Sequence, residues 1–384
     1  KYAVVRIAHG AENLRLTNGT LRGDRDTHDY KTDPGTHEWG TALRIDSGNN
    51  LEIDHLTLTN GSGDGASTRT DGAENRPELL AMIGHSVMLK DLEQGAFSEK
   101  GEKIPSTAKT RTIKPYDLTK LNGQFELGYM GGYMGFPFIK GRVYQVYFLD
   151  KDQKFLEMRK VLQYRTIKIP EGAVYAHLEF NQPEVSEEPA HAGAVKGGWL
   201  VRMTNFKPPR NVHFHHNSVT GNRRLGLAVT GGQCMVIEDN AFDRNGGTNP
   251  AYGVDFEDGA ELTYDIVFRR NTFNGNINGD LVICAGTEIL IEDNVFQKSV
   301  VVWGRAHNYA FRKNRFTGGS VMYATRTGIA SIRENSYANC SISLRFDTKG
   351  VADGIVREPG KSVSTPSLLL EKETQRPGHA RGGG

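Results

Sequence analysis

The chain has 384 residues, with 47 Lys and Arg against 45 Asp and Glu, a formal charge of +2 with the twelve histidines neutral. That balance argues against a surface built to hold nucleic acid, which carries a strong basic excess, and no apolar run reaches the ~18 residues of a membrane span. Glycine is over-represented, 45 residues against a usual ~7 %, with no Gly-X-Y period, which excludes collagen and favours many tight turns between short strands.

The chain opens at Lys1 in strand-like sequence, Tyr2-Ala-Val-Val-Arg-Ile7, without a signal peptide. It reads as a segment of a longer protein, so missing targeting information is uninformative. Gly23-Asp-Arg-Asp-Thr-His-Asp-Tyr30 and Gly35-Thr-His-Glu-Trp-Gly40 then form a long loop holding Asp24, Asp26, His28, Asp29, His37, Glu38 and Trp39 before the strand Ala42-Leu-Arg-Ile45. An indole beside carboxylates and imidazoles suits carbohydrate, whose apolar face stacks on the ring while its hydroxyls take the polar groups. A loop folded as a local cap by its own hydrogen bonds is the alternative. Three nearby Asp also raise calcium, but their spacing misses the EF-hand pattern. Gly63-Asp-Gly65 next places Asp64 at a strand entrance, either open to a ligand or a plain turn.

From about Lys100 to His191 the sequence turns aromatic and alternating, as in Arg142-Val-Tyr-Gln-Val-Tyr-Phe-Leu149 and Val174-Tyr-Ala-His-Leu-Glu-Phe180. Period-two alternation bounded by turn residues predicts an antiparallel β-sandwich inserted in the rest of the chain. Its Gly128-Tyr-Met-Gly-Gly-Tyr-Met-Gly-Phe136 run lacks a phosphate-loop lysine, and its aromatics offer either a sugar platform or a buried loop.

Beyond the insert the chain repeats. Asn217, Asn240, Asn271, Asn294, Asn314 and Asn335 are each followed two residues later by Val, Phe or Tyr, at spacings of 23, 31, 23, 20 and 21 residues, and each repeat carries a second short strand. A period just above twenty, with short β segments and no helical periodicity, predicts coils of a parallel β-helix; leucine-rich repeats would need several Leu per repeat. The repeated Asn fits a bend, because it tolerates left-handed backbone and can hydrogen-bond from coil to coil. The expected organisation is 1–99 and 196–350 as β-helix, 100–195 as the inserted sandwich, and 351–384 as an extension ending in a mobile tail.

The repeats place further chemistry. Asn222-Arg-Arg-Leu-Gly226 puts Arg223 and Arg224 at a strand entrance, either to bind an acidic sugar or to neutralise nearby carboxylates. In Tyr252-Gly-Val-Asp-Phe-Glu-Asp258, Val254 and Phe256 take interior positions, so Asp255 and Glu257 project outward. Their Cα atoms lie about 6.6–6.8 Å apart by strand rise, which fits an acid/base pair, nearer the inverting than the retaining spacing; two solvated charges are the alternative. His213-Phe-His-His216 fits a strand with polar residues outward rather than a metal site. Cys234, Cys284 and Cys340 match neither a disulfide framework nor a zinc motif and read as buried or half-buried thiols.

On the repeats and on Gly23-Asp-Arg-Asp-Thr-His28, Thr36-His-Glu-Trp-Gly40, Gly63-Asp-Gly65, Asn222-Arg-Arg-Leu-Gly226 and Tyr252-Gly-Val-Asp-Phe-Glu257, the chain resembles right-handed parallel β-helix proteins of the pectate-lyase-like superfamily. It looks most like phage tail-spike and appendage depolymerases. The Gly-His-Gly and Arg-x-Lys tripeptides of polygalacturonase-like members do not occur, so homogalacturonan hydrolysis does not carry over. The resemblance implies a homotrimer, extracellular or on a virion tail, acting on bacterial capsular or exopolysaccharide. It implies no cofactor, no resident metal, no nucleic acid and no membrane. The expected catalytic set is Asp255 and Glu257 with Glu38 or Asp64, and the expected substrate contacts are His37, Trp39, His28, Asp24, Arg223, Arg224 and Tyr252. Two alternatives stay open: a lyase using His28, His37 or Arg224 for β-elimination, and a non-catalytic adhesin or tail-fibre domain that only binds glycan.

Overall fold

The computed structural model describes residues 2–8, 10–69, 84–87, 89–121, 123–128, 143–162, 165–183, 201–204, 208–257, 263–325, 329–346, 367–371 and 374–376. The chain forms a right-handed parallel β-helix interrupted by an antiparallel β insert, and it divides into two compact units, residues 1–71 with 207–384 and residues 72–206. Among the described residues helix is limited to two three-residue 3-10 turns, and no helix is long and apolar enough to cross a membrane.

Each coil of the β-helix contributes to three parallel sheets. The first stacks Tyr2–Ile7, Gly40–Asp46, Ala66–Arg69, Leu227–Val229 and Tyr252–Phe256, then the opening parts of Gly279–Glu292 and Val300–Arg312, which pairs onward with Gly319–Thr325 and Cys340–Phe346. Inward positions repeat in register, Leu43, Ala66, Leu227, Val254 and Leu281 in one row, and all are excluded from water. Their burial in one continuous core supplies the driving force that a single coil lacks. Phe242, Phe273, Phe296, Phe316 and Tyr337 stack face to face through it, with successive ring centroids 5.4, 5.1, 5.1 and 4.8 Å apart.

The repeated asparagines form a buried ladder. The backbone N–H and Nδ2 of Asn217 both donate to Asn240 Oδ1, and the relation repeats to Asn271, Asn294, Asn314 and Asn335. The left-handed residue at each bend is not the asparagine. It is the residue before it, namely His216, Asp239, Arg270, Asp293, Lys313 and Glu334, at φ between 53° and 58°. That residue faces outward and turns the chain, which leaves the asparagine inward to satisfy buried backbone groups. A second ladder, Asn222 to Asn245 to Asn276, fixes the next corner in the same way.

The insert leaves the solenoid within one coil. Ala66–Arg69 is that coil's strand in the first sheet, and Arg210–His215, its strand in the second, pairs directly on Asn49–Thr59. The insert is broader than the break in the repeat implied. Gly84–Val87 pairs antiparallel with Val201–Thr204, and Leu92–Gln94 with Thr110–Thr112, so residues before 100 and after 195 belong to it. Its two main antiparallel sheets share one core, with Phe125, Leu127 and Met203 from one and Tyr144, Val146, Phe148, Leu178 and Phe180 from the other. That is a sandwich, because each sheet buries its apolar alternates against the other. The proposed sugar platform at 129–136, the linker beyond 183 and the tail beyond 376 lie outside the described residues.

Candidate active site

The loop at 61–65 and the turn at 222–226 stack on each other through backbone bonds from Arg224 N to Gly63 O and from Gly65 N to Leu225 O. Asn222 anchors both: its Oδ1 accepts from Gly61 N, and its Nδ2 donates to Leu58 O and Asn245 Oδ1. The strand entrances are thereby fixed one above the other, and the side chains of Asp64 and Arg224 meet. Arg224 Nη1 lies 3.1 and 2.9 Å from the two oxygens of Asp64, and its Nη2 donates to Glu257 Oε1 at 2.9 Å.

Asp255 and Glu257 do point away from the core, since Val254 and Phe256 between and beside them are interior. The alternative of two solvated charges is excluded for Asp255: it is only 4 % exposed, while the Glu257 side chain retains 24 %. Asp255 lies in register with Ala228 and Val282, a small and an apolar side chain that offer its carboxyl no charge partner. The Cys284 thiol donates to it, with Sγ 3.6 Å from Oδ1.

Two carboxylates, Asp64 and Glu257, therefore share one bonded arginine, and the buried Asp255 carboxyl feels its charge without a bond to it. Burial pushes Asp255 well above the usual carboxylate range, the charge of Glu257 adds to this, and Arg224 only partly offsets it. Asp64, with no exposed surface, is raised to about 7 by burial, against the attraction of Arg224 and with the repulsion of Glu257. Arg224 is also buried, yet Asp64 and Glu257, with Glu38 contributing, hold it firmly cationic. Burial also raises the Cys284 thiol, helped by Asp255, so it stays protonated and inert as a nucleophile. Tyr252, half-buried beside the same group, is raised by burial and by Asp255.

The remaining predicted residues fall elsewhere. Arg223, next in sequence to Arg224, faces the other way. It stacks over Tyr30 at 4.0 Å and donates to Gly35 O, so it braces the 23–40 loop instead of facing the carboxylates. Asp24 bonds Tyr2 Oη and His28 Nδ1, and His28, Tyr30 and His37 pack ring against ring, with His28 and His37 centroids 4.4 Å apart. The three aspartates considered for calcium do not converge. Asp26 pairs with Arg22 and Asn60, and Asp29 caps Lys31 and Thr32. Trp39 has the Arg69 guanidinium stacked on it, 3.4 Å from the ring centroid.

Sequence reading missed Arg69 and Asn222. Arg69 ends the strand Ala66–Arg69, in register with Asp46, and its charge reaches Asp64. The alternation that pointed to Asp255 and Glu257 would have found it had it been applied two coils earlier. Asn222 is legible only as the start of a second asparagine series at the same spacings of 23 and 31 residues.

A β-helix carrying a buried carboxylate–arginine cluster on its first sheet is the class these features define. The family described as "Right handed beta helix region" matches residues 203–316. Over 86 residues the chain is 31 % identical to the SPbeta prophage-derived uncharacterized protein YorA of Bacillus subtilis (strain 168), a match spanning 22 % of this chain and 15 % of that protein. Among solved structures, the Gp54 tailspike of Acinetobacter baumannii bacteriophage AP22, in complex with A. baumannii capsular saccharide, aligns at 9 % identity and a TM-score of 0.34 over 90 % of this chain and 66 % of that one. The tailspike gp49 of Pseudomonas phage LKA1 aligns at 10 % identity and a TM-score of 0.33, over 96 % of this chain and 54 % of that one. The chain thus spans less than two thirds of each of these proteins.

Proposed function

We propose that the protein is a depolymerase that hydrolyses glycosidic bonds of bacterial surface polysaccharide, capsular or exopolysaccharide, at the Asp64–Arg224–Glu257–Asp255 cluster. The observation that carries the reading is the bridge by which one arginine binds Asp64 and Glu257 beside a third, buried carboxyl. Such a set provides both partners that glycoside hydrolysis needs. Asp255, kept protonated by burial and by Glu257, serves as general acid to the leaving oxygen. Glu257, the more exposed member and held in place by Arg224, activates water as general base. Asp64 sets the charge of the cluster, Tyr252 and Trp39 contact the sugar, and Glu38 lines the approach. The stretch shared with a prophage-derived protein supports a phage origin, and a homotrimer on a virion tail is the assembly proposed for it.

Hydrolysis is favoured over β-elimination with Arg224 as the base by one observation. An elimination through arginine requires that residue neutral, whereas Arg224 is held cationic by two bonded carboxylates. The test is incubation with purified capsular and exopolysaccharides, measuring new reducing ends and ultraviolet-absorbing unsaturated ends in parallel. Reducing ends without unsaturation, abolished in Asp255→Asn and Glu257→Gln, are expected. Unsaturated ends would transfer the reading to a lyase, and binding without cleavage would transfer it to an adhesin.

A further inference from the structure

Within the 23–39 loop, His28 and His37 have their tautomers set by their neighbours. The Asp24 carboxylate, which also accepts from Tyr2 Oη, lies with Oδ2 3.2 Å from His28 Nδ1, and because a carboxylate accepts, Nδ1 donates. That leaves His28 Nε2 with a lone pair. This atom is buried and makes no hydrogen bond, and its nearest carboxylate oxygen, Asp33 Oδ2, lies 3.7 Å away, beyond hydrogen-bond range. On the other ring, His37 Nε2 lies 2.9 Å from the backbone carbonyl of Asp33. A carbonyl only accepts, so Nε2 carries the proton and Nδ1 keeps its lone pair, 3.9 Å from the same Asp33 Oδ2.

Two imidazole lone pairs and one carboxylate oxygen therefore converge, with all three ligand atoms within 4.8 Å of one another. Ligands at ~2.0–2.2 Å from a tetrahedral zinc ion stand about 3.3–3.5 Å apart. The two nitrogens, 3.7 and 3.9 Å from Asp33 Oδ2, exceed that spacing from the carboxylate by about half an ångström. The carboxylate behind His28, Asp24, is the outer partner that metal-bound histidines usually have. A second cluster, Glu52, His213 and His215, lacks this readiness. His213 Nε2 is bonded to Glu238 at 2.8 Å and His215 Nε2 to Glu52 at 3.3 Å, so both atoms already serve ion pairs.

The geometry points to a site for one divalent first-row transition ion of the zinc class, held by His28 Nε2, His37 Nδ1 and Asp33, that clips the loop presenting Glu38 and Trp39. The nitrogen-rich donor set disfavours calcium and magnesium, which take oxygen ligands. An ion here would fix a long strandless connection at both ends, from Asp24 to Trp39.

The test is zinc binding to the whole chain after chelator treatment, followed by calorimetry and by the visible absorption of the cobalt-substituted protein. Saturable uptake of one ion per chain is expected, with the ligand-field bands of a low-coordinate nitrogen–oxygen site. His28→Gln and His37→Gln should each weaken it at least 100-fold. Asp24→Ala should weaken it about 10–100-fold through loss of the outer partner. Asp33→Asn serves as the control for folding, because its side chain is 71 % exposed and its loss leaves the core intact while removing a ligand. No saturable uptake by the wild type would overturn the proposal. So would uptake that survives the His28, His37 and Asp33 changes and disappears in His213→Gln/His215→Gln.

Discussion

Arg224 approaches Asp64 with one nitrogen, Nη1, within 3.1 Å of both carboxylate oxygens, and spends its other terminal nitrogen on Glu257. The two contacts need a planar, forked cation, and a lysine ammonium cannot reproduce both directions. Arg224→Lys should therefore keep the fold and lose activity by about 10²–10³-fold, the scale of removing one electrostatic stabiliser from an active site. Arg224→Ala leaves Asp64 buried without its partner and should cost about 3–5 kcal/mol of stability. Denaturant unfolding of the two variants beside turnover on a cleavable glycan separates these effects. Equal activity in Arg224→Lys and wild type would remove the bridge from the mechanism.

The raised carboxyl of Asp64 makes stability depend on pH in a definite direction. Its folded value is about 7, against an unfolded value near ~3.9. Below about pH 4 both states hold the proton and Asp64 adds no pH dependence. Between about 4 and 7 the folded state keeps a proton that the unfolded state has lost, so stability falls as pH rises, and it levels off above 7. The loss is of the order of a few kcal/mol. Asp64→Asn cannot ionise and should flatten this part of the curve, so the variant gains on the wild type from pH 4 to 7. Unfolding midpoints across that range check it, and parallel curves would contradict it.

The asparagine ladder should behave as a continuous structural element. Asn271 accepts from the N–H and Nδ2 of Asn240 and donates through Nδ2 to Ile237 O and Asn294 Oδ1. Asn271→Ala strands several buried groups at once, each costing about 1–3 kcal/mol when unpaired. A loss of 3 kcal/mol or more is expected (about 1–3 per group), and Asn271→Asp, which accepts but cannot donate from the side chain, should recover only part of it. Chemical denaturation measures both, and a loss below about 1 kcal/mol in the alanine variant would show that the ladder is not cooperative.

What was legible in the sequence follows from which interactions are periodic. The asparagine spacing revealed the coils because every coil needs the same buried bonds at the same corner, and strand alternation placed Val254 and Phe256 inside. Stacking of the strand entrances grouped Asp64, Arg223 and Arg224 with Asp255 and Glu257, and the structure brings together all of these but Arg223. Three features escaped. The left-handed bend residue precedes each Asn and has no fixed chemistry, since His, Asp, Arg, Lys and Glu all occupy it. The burial of Asp255 depends on tertiary packing and leaves no local mark. The separation of Arg223 from Arg224 depends on which neighbour each meets, the Tyr30 ring or the carboxylates. The limits of the insert were misplaced because Gly84–Val87 and Leu92–Gln94 are too short to show an alternation of their own.

Gly63 connects the strand entrance to the loop above it. A Cβ built there would lie 1.9 Å from the backbone carbonyl oxygen of His37 and 2.8 Å from that of Gly40. Both obstacles are backbone, so no side-chain rotation relieves them, and Gly63→Ala must push the 37–40 segment away from the 61–65 loop. That displacement carries Trp39 and Glu38 away from Asp64 and Arg224 while the Asn222 anchor and the stacked coils stay in place. The expected outcome is weakened glycan binding, read as a raised KM with a smaller change in kcat, and a modest loss of stability, on the order of 1–3 kcal/mol as for other overpacked sites. A Gly63→Ala variant with unchanged KM would show that the loop carrying Trp39 takes no part in holding the substrate.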